Sequence, residues 1–69
     1  MTTLIQIQEA AIAKLDVTRS SDRRYAKLAG SVRRWYGEQL RAIGFRSEEQ
    51  IRATWFDAVD MLTLRRNAE

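Results

Sequence analysis

The sequence predicts a small all-α protein built from three helices. Apolar residues recur at steps of three and four along most of the chain, which is the period of an amphipathic helix. The chain has no Pro and only three Gly among its 69 residues, so few positions break this period. Its 45% hydrophobic and 30% charged residues are typical of a folded globular domain.

The first helix is predicted over about residues 3–15, and Thr2 or Thr3 can cap its start. Residues 16–21 break the apolar period and are rich in side chains that favour turns, so we expect a linker there. The predicted core stripe of this helix is Leu4, Ile7, Ala11 and Leu15, widened by Ile5 and Ile12.

The second helix is predicted over about residues 22–43. Gly44 is expected to end it in the left-handed conformation, with Phe45 contacting Leu40 as in a Schellman motif. Gly30 and Gly37 lie inside this helix, and Gly30 could allow another helix to approach. The core stripe should comprise Tyr25, Leu28, Ala29, Val32, Trp35, Tyr36, Leu40 and Ile43, and the opposite face Arg23, Lys27, Arg34, Glu38 and Arg41.

The third helix is predicted over about residues 48–66, and the sequence from Ser47 to Gln50 matches a capping box. The turn that precedes it is short, so the second and third helices should fold back on each other as an αα-hairpin or cross at a steep angle. The first helix is then expected to cover the remaining seam. The core stripe should comprise Ile51, Trp55, Ala58, Val59 and Leu62, with Arg65 and Arg66 in the last turn.

The length of the chain also predicts self-association. A domain of about 60 residues buries only about 60% of the surface that its unfolded chain exposes. Conformational entropy opposes folding by roughly 1.5 kcal/mol per residue, which is on the order of 100 kcal/mol for the whole chain. The hydrophobic burial in so small a core barely offsets this entropy cost. We therefore expect that a second copy supplies further burial and that the protein is a homodimer.

The composition excludes most catalytic chemistry. Without Cys or His, the chain has no thiol nucleophile, no Ser-His relay and no zinc site of the usual ligands. Asp57 and Asp60 are too few ligands for a hard cation. We therefore expect no enzymatic activity, no small-molecule substrate, no cofactor and no metal.

Localisation follows from hydropathy and from the first residues. No stretch approaches the ~20 apolar residues that cross a bilayer, and the start of the chain lacks the basic and apolar regions of a signal peptide. A cytoplasmic protein is expected. A membrane-surface role for the second helix, which combines a basic and an aromatic face, is a minor alternative.

The charge is concentrated in one part of the chain. Residues 19–46 carry eight cationic side chains and two carboxylates, although the net charge of the whole chain is only +3. One interpretation is that Arg23, Lys27, Arg34 and Arg41 dock on an acidic surface. The other is a solvated face that is partly neutralised by the acidic third helix, in the same subunit or in a second one.

Three aromatic residues are candidate anchors for a partner. Trp35 and Tyr36 are adjacent and bulky for so small a core, so part of this face could be a subunit or partner interface, where Trp, Tyr and Arg often dominate binding. Phe56 is predicted to lie outside the core stripe and to be exposed, together with Leu64. Simple core packing is the alternative for Trp35 and Tyr36.

A helix-turn-helix arrangement is disfavoured on two grounds. The segment from Gly44 to Ser47 is one residue too long for the turn of that motif. Glu48 and Glu49 would then face the phosphates of a major groove and be repelled. Binding of DNA or RNA backbone through the basic face of the second helix remains open.

Together these features predict a non-enzymatic interaction protein that binds a larger protein, such as a nucleic-acid-binding regulator, and inhibits it. Small chains without catalytic groups are often adaptors or inhibitors, including those encoded by phages and other mobile elements. The alternative is a transcriptional regulator that binds nucleic acid through the basic face of the second helix.

Overall fold

The protein folds as three α-helices joined by two short connections. The computed structural model describes residues 2–19 and 21–68. Helix α1 spans Leu4–Leu15, α2 spans Tyr25–Ala42 and α3 spans Glu48–Ala68. The described residues contain no strand, which confirms the predicted all-α fold.

A complete capping box begins α1. The Gln6 backbone N–H donates to Thr3 Oγ1 at 3.3 Å, and the Thr3 N–H donates to Gln6 Oε1 at 2.9 Å. Two N–H groups at the start of the helix are therefore satisfied by side chains. The predicted cap at Thr3 is present, and Gln6 supplies the return bond that the sequence analysis did not anticipate.

Helix α2 begins at Tyr25, three residues after the predicted start at Asp22. The Asp22 carboxylate accepts from the Arg24 backbone N–H at 2.8 Å and also pairs with the Arg24 guanidinium. An Asp side chain that bonds the backbone two residues later stabilises a turn instead of a helix. Arg23 therefore lies in this turn, outside α2.

Helix α2 ends in the predicted Schellman motif. Gly44 adopts a φ of 114°, a conformation that residues with a Cβ rarely adopt. The Phe45 N–H donates to the Leu40 carbonyl oxygen at 2.9 Å, and the Gly44 N–H donates to the Arg41 carbonyl oxygen at 3.1 Å. These are the two bonds that define the motif.

The start of α3 is capped by Ser47, whose Oγ accepts from the Gln50 backbone N–H at 3.3 Å. This bond is the half of the predicted capping box in which the Ser side chain satisfies the helix. Glu48 and Glu49 occupy the first turn and Arg65 and Arg66 the last turn, where each charge favours the helix dipole.

Helix α1 is the central element of the core, because it contacts α2 and α3 more extensively than those two helices contact each other. The prediction that it merely covers a seam was therefore incomplete. Ile5 and Ile43, which were predicted to be core residues, are 68% and 39% exposed. The buried apolar residues are Ile7, Ala11, Ile12, Leu15, Val32, Tyr36, Leu40, Ile51, Ala58 and Leu62.

One polar side chain also enters the core. Gln8 is only 6% exposed, and its Nε2 donates to the Thr54 carbonyl oxygen of α3 at 3.0 Å. A buried amide is tolerated when its donors have partners. The bond therefore also fixes how α1 lies against α3.

None of the described helices is both long enough and apolar enough to cross a membrane.

Candidate interaction surface

Two cations of the predicted basic stripe extend along the outer face of α2. Lys27 and Arg34 are both exposed and are seven residues apart, so they lie on one face about two turns from each other. Neither forms an ion pair with any residue that the structure describes. Glu38 is the one carboxylate of α2. The positive charges of Lys27 and Arg34 are therefore available to bind a partner.

The third cation of the predicted stripe within α2, Arg41, is engaged inside the chain. Its guanidinium contacts the Glu48 carboxylate at the start of α3, and the Arg33 guanidinium lies 4.0 Å from the same carboxylate. This part of the basic face is thus neutralised by the acidic helix of the same chain. Arg41 is therefore a weaker candidate for partner binding than Lys27 or Arg34.

Arg23 is exposed but lies in the turn before α2 instead of on the helix. It precedes Lys27 by four residues, and the turn moves it off the regular helical row. Its positive charge lies close to Lys27 along the chain, but its side chain is not on the helical face that carries the stripe. We refer below to Lys27 and Arg34 as the cationic row.

Trp35 lines a cleft between α2 and the chain at and just after the end of α1. The cleft has a volume of about 430 Å³, and its walls are formed by Lys14, Val17, Leu28, Ser31, Val32 and Trp35. Most of these side chains are apolar. A volume of roughly 300–1,000 Å³ with mostly apolar walls and a few polar groups is typical of binding clefts.

A lysine marks the rim of this cleft. The Lys14 ammonium lies 4.8 Å from the centroid of the Trp35 ring, within the range of a cation–π contact. None of the described residues that line the cleft is acidic. The cleft therefore combines an apolar floor with a cationic rim, and it suits an apolar group that carries a nearby negative charge.

The cationic row lies outside the cleft, because neither Lys27 nor Arg34 is among its wall residues. They immediately precede the wall residues Leu28 and Trp35, and neighbours in a helix differ by about 100° in direction. The structure thus keeps Lys27 and Arg34 together on one face of α2 and places Trp35 on another, in the cleft wall with Lys14 and Ser31, which the sequence analysis did not single out.

Tyr36 is not part of this surface, although it was predicted to be an anchor. It is 0% exposed, and its ring packs against Trp55 with a centroid distance of 5.3 Å. Because Tyr36 lies on the face of α2 that meets both other helices, its bulk is accommodated inside the chain. A fully buried side chain cannot contact a partner, so this prediction is corrected.

The Tyr36 hydroxyl group lies in the core and has no hydrogen-bond partner among the residues that the structure describes. Burial raises the pKa of the Tyr36 phenol above its ordinary value, and the adjacent polar groups of Thr54 and Gln8 partly offset this rise. These groups lie near the hydroxyl, but their geometry does not satisfy it. Tyr36 is therefore a structural residue with an unmet polar requirement.

Phe56 lies on a different surface, on α3. It is 58% exposed and Leu64 is 68% exposed, which confirms the predicted exposure of both residues. Asp60 lies between them at a spacing of four residues from each, so the three share one side of the helix. We call Phe56, Asp60 and Leu64 the outer face of α3.

Metal-binding residues do not cluster in the described part of the chain. No group of three or more acidic side chains that could hold an ion occurs among residues 2–19 and 21–68. Asp57 and Asp60 thus gain no further protein ligand from the fold, and we assign them no site.

Comparison of the chain with models of protein families, with curated proteins and with solved structures gives no match.

Proposed function

We propose that this chain is a small, non-enzymatic interaction protein that binds an acidic surface on a larger protein and thereby inhibits or otherwise modulates it. The observation that carries the proposal is the cationic row, in which two exposed cations share one face of α2 and lie without ion-pair partners among the described residues. Such a row steers association with an acidic partner and speeds the encounter.

The partner class in this proposal is a protein with an acidic or nucleic-acid-mimicking patch, or a nucleic-acid-binding regulator whose activity changes when the patch is occupied. Arg23 and the cationic row supply long-range attraction, and Trp35 supplies apolar contact at a subunit or partner interface. The proposal includes a cytoplasmic location, an origin in a phage or another mobile element, a hairpin-like pairing of α2 and α3, and a homodimer as the working form.

Binding of nucleic acid is the alternative, because phosphates would use the same cations. The two functions differ in their dependence on salt. Contacts to phosphates release counterions, so the affinity falls steeply as the salt concentration rises. A mobility-shift titration with short DNA and RNA at two salt concentrations tests this. A robust shift at physiological salt would replace the protein-binding proposal with the alternative.

Affinity capture from the native cell tests the main proposal. We compare the unaltered protein, the double variant Lys27→Glu with Arg34→Glu, and the control double variant Arg46→Glu with Arg52→Glu. Arg46 and Arg52 are also exposed and lie outside α2, so the control makes the same change in net charge elsewhere. The proposal expects a protein that is retained by the unaltered chain and the control but lost with the row variant. Equal retention by all three would overturn it.

A further inference from the structure

No residue that the structure describes fills the cleft between α1 and α2. Val32 is buried at its floor, whereas Val17 at its edge is 79% exposed. Covering this apolar wall would remove hydrophobic surface from water, at roughly 25 cal/mol per Å². The occupant must also suit the Lys14 ammonium at the rim, since an apolar group alone would leave that charge desolvated.

The outer face of α3 has the matching chemistry. Phe56 is the one strongly exposed aromatic side chain among the large exposed apolar residues, and burial of an aromatic ring removes about 150–250 Å² from water. Asp60 follows one helical turn later and is exposed. This face therefore offers an apolar group with a carboxylate beside it, which is the combination that the cleft favours.

The signs of the charges favour this pairing over a contact between two clefts. Lys14 is the one cation among the described residues that line the cleft, and no acidic residue is among them. On α3, Asp60 follows Phe56 by one helical turn and Arg52 precedes it by one turn. Placing Asp60 opposite Lys14 brings charges of opposite sign together, whereas pairing two clefts would oppose two Lys14 ammonium groups.

The cleft and its complement lie on one chain but do not meet within it, because Phe56 is 58% exposed and does not line the cleft. An exposed side chain that matches a pocket elsewhere on the same protein joins one copy to the next, and the assembly closes as a dimer when the two copies exchange this contact. A chain of 69 residues with a small core has the most to gain from such burial.

We propose that the cleft receives Phe56 from a second copy of this chain, and that the Asp60 carboxylate of that copy faces the Lys14 ammonium. This inference rests on the homodimer of the proposed function and assigns its interface. In this interface Phe56 of one copy packs in the cleft that Trp35 of the other copy lines, although the two residues lie on separate surfaces of a single chain.

Sedimentation equilibrium over a range of micromolar to millimolar concentrations tests the interface. The average mass of the unaltered protein should rise above the 8.0 kDa of one chain as the concentration increases. Phe56→Ser removes the inserted ring, and Ser31→Trp fills the cleft from its exposed wall. Each should weaken association at least tenfold. Ile5→Ser, which removes an equally exposed apolar side chain from α1, should leave association unchanged.

A charge exchange tests the pairing of specific residues. Lys14→Glu and Asp60→Lys should each weaken association, and the variant with both changes should recover most of it. All of these substitutions lie at exposed positions, and circular dichroism confirms that each variant remains helical. A single-chain mass at every concentration would overturn the inference, as would association that survives both Phe56→Ser and Ser31→Trp or fails to recover in the exchanged variant.

The association experiments test the interface between copies separately from the binding of a larger partner. Capture of a partner depends on Lys27 and Arg34, and neither residue is changed in these experiments. If the protein remains monomeric and still retains its partner through the cationic row, the homodimer and its interface are excluded, while the binding of the partner stands. If it associates as described but retains no partner, only the proposed function is excluded.

Discussion

The Arg66 guanidinium donates to the Thr18 carbonyl oxygen at 2.8 Å, across a sequence separation of 48 residues. The same group lies 5.9 Å from the Tyr25 ring centroid and 3.6 Å from the Asp16 carboxylate. One side chain near the end of α3 therefore fastens the segment that follows α1 and the first residue of α2. Arg65, its neighbour, makes only an exposed ion pair with Glu9.

These two arginines should differ in their effect on stability. Arg66→Ala removes a charged hydrogen bond to a backbone carbonyl and a cation–π contact, and we expect a loss of about 2 kcal/mol in the free energy of unfolding. Arg65→Ala is the matched control and should lower it by less than about 1 kcal/mol, because both partners of its ion pair are about half exposed. Urea denaturation measures both. Equal losses would show that Arg66 is no more than a surface charge.

Removing the Tyr36 hydroxyl should not destabilise the protein. The hydroxyl is buried without a partner among the described residues, so Tyr36→Phe deletes a desolvated polar group and keeps the ring. We expect an equal or higher free energy of unfolding, whereas Tyr36→Ala should lower it by about 3–5 kcal/mol through the cavity it creates. A loss of more than about 1 kcal/mol in Tyr36→Phe would instead show that the hydroxyl makes a stabilising bond.

The raised pKa of Tyr36 predicts a loss of stability at alkaline pH. The unfolded phenol ionises near its ordinary pKa of about 10, while burial raises the pKa of the folded phenol and keeps it protonated. The protonated Tyr36 phenol therefore makes its full contribution to the free energy of unfolding below the pKa of the unfolded state. That contribution is lost as the pH rises through the pKa of the folded state. The difference in unfolding free energy between the unaltered protein and Tyr36→Phe isolates this effect from the other titrating groups. It should be constant up to about pH 9 and then shift in favour of Tyr36→Phe.

Two glycines in and after α2 should respond in opposite ways to alanine. Gly44→Ala forces a Cβ onto a backbone with φ of 114°, and we expect a loss of about 1–2 kcal/mol. At Gly30 an added Cβ meets no heavy atom within 4 Å, so Gly30→Ala should stabilise the helix by about 1 kcal/mol. Thermal unfolding of the two variants measures both shifts. A melting temperature for Gly30→Ala that is no higher than that of the unaltered chain would contradict the assignment of Gly30 as an open, intrahelical position.

Local chemistry explains why the sequence predicts the helices and most of their ends. The apolar period separates Val32 and Leu40, which are buried, from Arg34, which is exposed. The stop at Gly44 and the start at Ser47 depend on residues only a few positions away, so a linear pattern suffices. The start of α2 differed because the Asp22 side chain competes for the Arg24 backbone N–H, and the apolar period carries no information about that competition.

The candidate site was harder to predict because it depends on how the helices pack. Helical spacing places Trp35 and Tyr36 at the edge and centre of one stripe, but only the position of α1 decides that Tyr36 is enclosed and that Trp35 borders a cleft. Lys14 could have been noted as a cation near the end of α1. Its contact with Trp35 joins two helices, and no pattern within either helix predicts it.

The central position of α1 has a consequence for how the chain reaches its native state. Its bonds to α3 join residues 46 to 56 positions apart, so long loops must close before α1 gains its contacts with α3. Such nonlocal contacts slow folding relative to a bundle held by local contacts alone. Because the buried residues of all three helices form one cluster, we expect the chain to unfold in a single cooperative transition, as small domains usually do.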